Sequence, residues 1–163
     1  MKKTIIYLDG RCYENKNEER LKILNKQFNV IEPIITKDNK DNLYVESEKI
    51  IKENKIEAIV GISTGGYIGY YLSNTYKIPA LLLNPALNCV PILREQKMPK
   101  QVYNSDEFEK QILVLGINDV VVNPMLALKI IEHKNNIYKV DIEHQIPLDV
   151  FKKYLKLFID EKL

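Results

Sequence analysis

No stretch of this chain approaches the roughly 18–20 consecutive apolar residues that a membrane-spanning helix requires. At the amino terminus, Met1-Lys2-Lys3 is followed only by Thr4–Leu8 before Asp9 interrupts, too short a run for a secretory signal. Cysteine is scarce: Cys12 and Cys89 are the only two. They make no disulfide framework, and neither stands at a metal-ligand spacing from histidine, so no metal site is expected and a reducing cytoplasm is the expected compartment. Excess charge is also missing. A net +2 from 24 basic and 22 acidic residues, spread along the chain, leaves no electrostatic footprint for nucleic acid. Internal repeats and low-complexity tracts are absent, and nothing in the sequence bears on oligomeric state.

What is present is the balance of a soluble globular chain, with 45% hydrophobic and 28% charged residues in 163. That length suits one domain spanning 1–163. Short apolar runs alternate with amphipathic ones. Thr4–Leu8, Asn29–Ile35, Ala58–Ile62, Ala80–Leu83, Ile112–Leu115 and Asn136–Ile142 read as strands. Between them, Leu21, Ile23, Leu24 and Phe28 form one helical stripe, and Leu43, Val45, Ile50 and Ile51 another, in a helix that Asp41 is placed to cap. Further helices are expected after Ser63, from Pro124 to Lys134, and from Pro147 toward Asp160, the last with Val150, Phe151, Tyr154, Leu155 and Phe158 inward. Strand–helix alternation throughout predicts an α/β fold: a small doubly wound, mainly parallel sheet with helices on both faces. Asn84–Gln111, with Pro85, Pro91 and Pro99, is the one long irregular segment.

The rest of the chain is organised around Ile56–Leu83. The buried-strand run Ala58–Ile62 breaks at Gly61-Ile62-Ser63-Thr64-Gly65, which fits G-x-S-x-G, the sharp strand-to-helix turn that exposes a serine hydroxyl above a parallel sheet. Glycines flank the serine because side chains there would collide with neighbouring backbone, and Gly66 lets the helix pack close. A glycine-rich turn of this kind also arises by chance or as an anion site at a helix start. Its context argues for the nucleophile, since a strand precedes it, a helix with Tyr67, Tyr70, Tyr71 and Leu72 follows, and Ala80–Leu83 returns as the next strand.

A serine needs a base to take its proton, and the chain has only two histidines. His133 falls inside a polar stretch of the expected fourth helix, where a surface role suffices. His144 lies in the loop after the last strand, on the sheet edge that carries Ser63. A carboxylate must then fix the imidazole tautomer, and Asp119, in the loop after Ile112–Leu115, has the right position. Serine, aspartate and histidine thus follow one another along the chain, each at a strand end, in the order of the α/β hydrolases.

With IIYLDG at the first strand, VGISTGGYIGYYL at the elbow, LLLNPAL after it, VLGINDVVVNP around Asp119 and EHQIP around His144, the chain resembles the small YqiA-like esterases of the α/β-hydrolase superfamily over nearly its whole length. The resemblance implies a compact α/β-hydrolase fold without a large cap domain. It also implies hydrolysis of short-chain carboxylic esters or acyl thioesters, no cofactor, and Ser63, Asp119 and His144 as nucleophile, acid and base. Backbone N–H groups of Thr64 and Arg11 would then form the oxyanion hole. The chain departs from the family at Asp9-Gly10-Arg11, where His-Gly-aromatic is usual, and at Ile142-Glu143, where glycines are common.

A carboxylate near a developing oxyanion opposes it unless Asp9 points away or pairs with Arg11, and the loop works only if Gly10 keeps its turn at the substrate site. The expected reading is a serine hydrolase acting through an acyl-enzyme on a small-molecule acyl ester. Tyr67 and Asn84–Val90 are the candidate lining of the acyl site, with core packing as the alternative for Tyr67. Leu87, Val90, Ile92 and Leu93 would form either a partial flap or a buried short helix. The alternative function is a catalytically impaired hydrolase-fold protein that binds a small ligand or a protein partner, a reading for which the altered Asp9 loop speaks.

Overall fold

The computed structural model describes residues 1–10, 18–87, 96, 98–99, 109–131 and 136–163. Its strands are β1 (Thr4–Asp9), β2 (Asn29–Ile31), β3 (Ala58–Ile62), β4 (Ala80–Leu83), β5 (Gln111–Gly116) and β6 (Ile137–Val140). The helices among the described residues are α1 (Glu18–Gln27), α2 (Leu43–Glu53), α3 (Thr64–Tyr76), α4 (Pro124–Ile131) and α5 (Leu148–Lys162). All strands join one sheet of order β2-β1-β3-β4-β5-β6, and every neighbouring pair is parallel.

Strand residues alternate between the two sides of this sheet. Ile6, Leu8, Ile59, Leu82, Leu113 and Leu115 face one core, which α2, α3 and α4 cover with Tyr44, Ile51, Ile68, Leu72, Ala127 and Ile131. Ile5, Tyr7, Val60, Leu81, Leu83, Ile112 and Val114 face the other, closed by Leu24 of α1 and by Phe151, Tyr154, Leu155 and Phe158 of α5. With both sides covered, β3, β4 and β5 are buried along their full length. That is why they read in sequence as unbroken apolar runs rather than alternating ones. Each large side chain buried in these layers, Phe158 for example, contributes about 1.5–3 kcal/mol of transfer free energy.

Two strands end at least two residues short of expectation, and one expected helix cap is not made. The second strand stops at Ile31 rather than Ile35; Pro33, with no N–H to donate, stands just beyond its end. The last strand is Ile137–Val140 rather than 136–142. Asp41 does not cap α2: it lies within a 3-10 turn, Lys37–Asn42, and the helix begins at Leu43 after Asn42, which makes no side-chain capping bond. The end of the fourth helix near Lys134, together with His133, Cys12, Cys89, Val90, Pro91, Ile92 and Leu93, lies outside the described residues.

The chain runs outward in both directions from β1, to β2 on one side and to β3 through β6 on the other. A crevice opens where the direction reverses, at the carboxyl ends of β1 and β3, and ligands of open parallel sheets bind in such crevices. Asp9 and Gly10 leave β1 there, and Ser63 leaves β3 there.

Candidate active site

The turn from β3 to α3 forces Ser63 into φ 55°, ψ −119°, a region that costs a non-glycine residue about 1–3 kcal/mol. Backbone hydrogen bonds hold it there. The Ser63 N–H donates to Leu83 O at 3.1 Å, while its carbonyl accepts from Tyr67 N at 3.0 Å and Ala86 N at 3.1 Å. The helix can start so abruptly only because Gly65 has no side chain: a Cβ there would stand 2.1 Å from the Leu8 carbonyl oxygen. Gly61 faces the same limit, at 2.6 Å from Gly65 O.

From this turn a chain of hydrogen bonds leads away from the hydroxyl. Ser63 Oγ lies 3.1 Å from His144 Nε2, and His144 Nδ1 lies 2.7 Å from Asp119 Oδ2. A carboxylate only accepts, so Nδ1 carries the proton and Nε2 presents its lone pair to the serine O–H. The other carboxylate oxygen, Oδ1, accepts from the N–H groups of Val121 and Val122, each at 2.8 Å. Asp119 thereby closes its own turn with one oxygen and orients the imidazole with the other. Its side chain is 2% exposed and that of His144 18%, so the histidine alone of the two reaches solvent.

A cavity of about 370 Å³ opens over Ser63, lined among others by Asp9, Gly10, Glu19, Arg20, His144 and Ile146. Gly10 lies directly above the elbow. A Cβ on it would come within 3.0 Å of both Ser63 Cβ and Thr64 N, so glycine keeps the approach to that backbone N–H open. Thr64 is the first residue of α3, where N–H groups have no partner inside the helix and point outward. Arg11, expected to supply a companion N–H, lies outside the described residues.

Tyr67 and Asn84, both expected to line the acyl site, are placed elsewhere. Tyr67 is fully buried in the core beneath α3, the packing role already weighed for it. Asn84 is 2% exposed and turns its amide toward the backbone of the His144 segment. Neither lines the described cavity.

Asp9 has partners other than Arg11, the one weighed for it, which lies outside the described residues. Its described partners are the Tyr7 hydroxyl, which donates to Oδ2 at 3.0 Å, and Arg20, whose Nη1 lies 3.9 Å from the same oxygen. Burial, reinforced by the neighbouring Asp9 charge, pushes the Tyr7 hydroxyl's ionisation far up, so it remains a donor. Arg20 is a residue that sequence reasoning missed. It is 8% exposed, donates from Nη2 to Ile146 O at 2.7 Å, and lays its guanidinium 5.8 Å from the centroid of the Phe151 ring. A signal for it existed: Arg20, Leu24 and Phe28 are four apart and so share one helical face. Reading that face as apolar hid the cation at its start.

Among the described residues, no group of three or more His, Cys, Asp or Glu is placed to hold a metal ion. No helix among them is long and apolar enough to cross a membrane.

Residues 14–113 match the model of an uncharacterised protein family, UPF0227. No curated protein matches the sequence. Among solved structures, Est1E from Butyrivibrio proteoclasticus superposes with a TM-score of 0.71 at 13% identity, over 99% of this chain and 88% of that one. A Pyrococcus furiosus esterase gives 0.61 at 17% identity, over 99% and 82%. Zea mays acyl-protein thioesterase 2 gives 0.61 at 12% identity, over 98% and 93%. The fold is that of the α/β hydrolases.

Proposed function

The chain belongs to UPF0227, the YqiA-like family, and from that footing we propose that it is a serine hydrolase cleaving a small carboxylic ester or acyl thioester. The observation that carries the proposal is the unbroken relay from Ser63 Oγ through both ring nitrogens of His144 to Asp119, mounted on a strained turn at the reversal point of the sheet.

In this reading Ser63 Oγ attacks the acyl carbonyl carbon while His144 Nε2 takes its proton. The oxygen that gains negative charge is met by the Thr64 N–H across the gap left by Gly10, with Arg11 N–H as the companion donor. The imidazolium, stabilised by Asp119, gives its proton to the departing alcohol or thiol. Ser63 is left acylated. Water then enters by the same route: His144 deprotonates it as its oxygen bonds the acyl carbon, and the second tetrahedral intermediate collapses by breaking the bond to Ser63 Oγ, which regains its proton from the imidazolium as the carboxylic acid departs. Every proton removed is returned, so the cycle needs no cofactor. The names of two of the similar structures, an esterase and an acyl-protein thioesterase, support ester and thioester chemistry.

The alternative of a non-catalytic binding protein rested on Asp9. Its bond from Tyr7 and its pairing with Arg20 offset the charge that would oppose the oxyanion, which favours catalysis. The test is covalent. A fluorophosphonate should add to Ser63 of the native protein. Ser63→Ala should abolish that label and lower turnover of a short-chain p-nitrophenyl ester by roughly four to six orders of magnitude. Unchanged turnover, or label on Ser73 or Ser105 instead, would overturn the proposal.

A further inference from the structure

Asn84 follows β4 directly, with its backbone in the left-handed region at φ 42°. Asparagine is one of the few side-chain-bearing residues that accept this conformation readily. Its N–H donates to Val114 O of β5 at 2.8 Å, and its side chain is fully engaged. Nδ2 donates to the carbonyls of Glu143 and His144, at 3.0 Å each, and Oδ1 accepts from the Gly116 N–H at 2.6 Å. One amide therefore ties the carboxyl ends of β4 and β5 to the segment that carries the candidate base.

The chemistry of the junction selects the residue. Two carbonyl oxygens and one N–H converge on a single buried point, and a carboxamide is the short side chain that offers two donors and an acceptor together. An ionised aspartate would turn an oxygen toward two other oxygens, and a serine has one proton for two acceptors. The approach is also close: a Cβ on Gly116 would lie 2.6 Å from Ile142 O and 2.9 Å from Glu143 O. The segment before His144 thus rests on the backbone of β5, with Asn84 fastening it.

We propose that Asn84 is a positioning residue for His144, setting where the imidazole stands relative to Ser63 Oγ. This rests on the reading of Ser63 and His144 as nucleophile and base. Because Asn84 holds the His144 carbonyl itself, loss of its donors frees the main chain of the residue whose ring must swing a proton between Ser63 and the leaving group. Displacement on the order of 1 Å at such a contact costs about a hundredfold in rate. Asn84 does not line the cavity, so substrate affinity is not its contribution.

Two substitutions test this on the full chain with a short-chain p-nitrophenyl ester. Asn84→Gly accepts φ 42° and removes all three side-chain bonds. Asn84→Asp keeps the shape and the acceptor for Gly116 but loses the donors. Each should lower kcat per folded molecule about 10- to 100-fold while KM moves by less than about twofold, and should slow fluorophosphonate labelling in parallel. The folded fraction is fixed by near-ultraviolet circular dichroism. A purely structural role would lower the melting temperature and leave kcat per folded molecule intact, and that outcome in either variant overturns the proposal. If Asn84→Gly does not fold, Asn84→Asp alone decides. Wild type serves as the reference for the underlying reading: label on wild-type Ser63 with undiminished kcat in the variants refutes the role of Asn84, whereas an unlabelled wild type refutes the nucleophile and the positioning role with it.

Discussion

The turn that carries Ser63 and the turn that carries His144 face each other across one crevice, yet they are held by different means. The Ser63 turn is built from backbone. Its shape comes from glycines that leave no room for a Cβ and from hydrogen bonds among main-chain atoms of β3, α3 and the residues after β4. The His144 turn is built from side chains sent by distant parts of the chain. Asn84 holds the carbonyls of Glu143 and His144, Arg20 holds that of Ile146, and Asp119 holds the ring. A backbone-built turn is rigid and specified by residues adjacent in sequence. One fastened by side chains is adjustable, and single substitutions far away in sequence can loosen it.

The largest effect should come from removing the object both turns serve. His144→Ala should cost nearly as much turnover as loss of Ser63, roughly four to six orders of magnitude, because the two act as a unit, while His133→Ala should change little. A loss confined to His133→Ala would reverse the assignment. Next in size is a break in the backbone-built turn. Gly65→Ala drives a Cβ against the Leu8 carbonyl, in a place where no flexible side chain can yield. It should destabilise the fold by about 3 kcal/mol, read as a lower denaturation midpoint with kcat falling in step. A normal midpoint would show that this turn is more compliant than its geometry implies.

The smallest effect belongs to the other turn's outer support. Asp9→Asn removes the negative charge beside Arg20 and weakens the bond from Tyr7, so stability and kcat should decline together, by about 1–2 kcal/mol in stability. On sequence grounds alone the opposite outcome was the expected one, with Asp9→Asn raising kcat by relieving an opposed oxyanion and a structural role for Asp9 as the competing reading. A higher kcat at unchanged melting temperature would restore that account. It would also detach Asp9 from the support of the His144 turn.

How much was legible follows from the same contrast. The elbow could be read because its cause is local: Gly61, Ser63 and Gly65 are consecutive in the pattern, and the apolar runs beside them are long enough to identify buried strands. The fold and the gathering of Ser63, Asp119 and His144 at one sheet edge followed from strand–helix alternation. What escaped was contact between remote residues. Asn84 was assigned to the substrate because it follows β4 at the correct edge, and nothing local reveals that its amide faces residues 143 and 144. Arg20 was hidden on a helical face otherwise apolar, its purpose fixed by Asp9 and by Ile146, 126 positions on. The second strand was read too long because its composition permits extension past Ile31, whereas Pro33 has no N–H with which to continue the ladder although β1 runs on to Asp9.

The division of labour within the Asp119 carboxylate has a consequence for timing. A carboxylate bonded only through one oxygen is a rotor: each time its imidazole partner gains or loses charge, it can turn, and the search for the productive orientation becomes part of every turnover. Two amides on Oδ1 remove that freedom during folding. In the proposed mechanism the entropy of aiming Oδ2 at the ring is then spent once, when the chain folds, and is not spent again in each turnover.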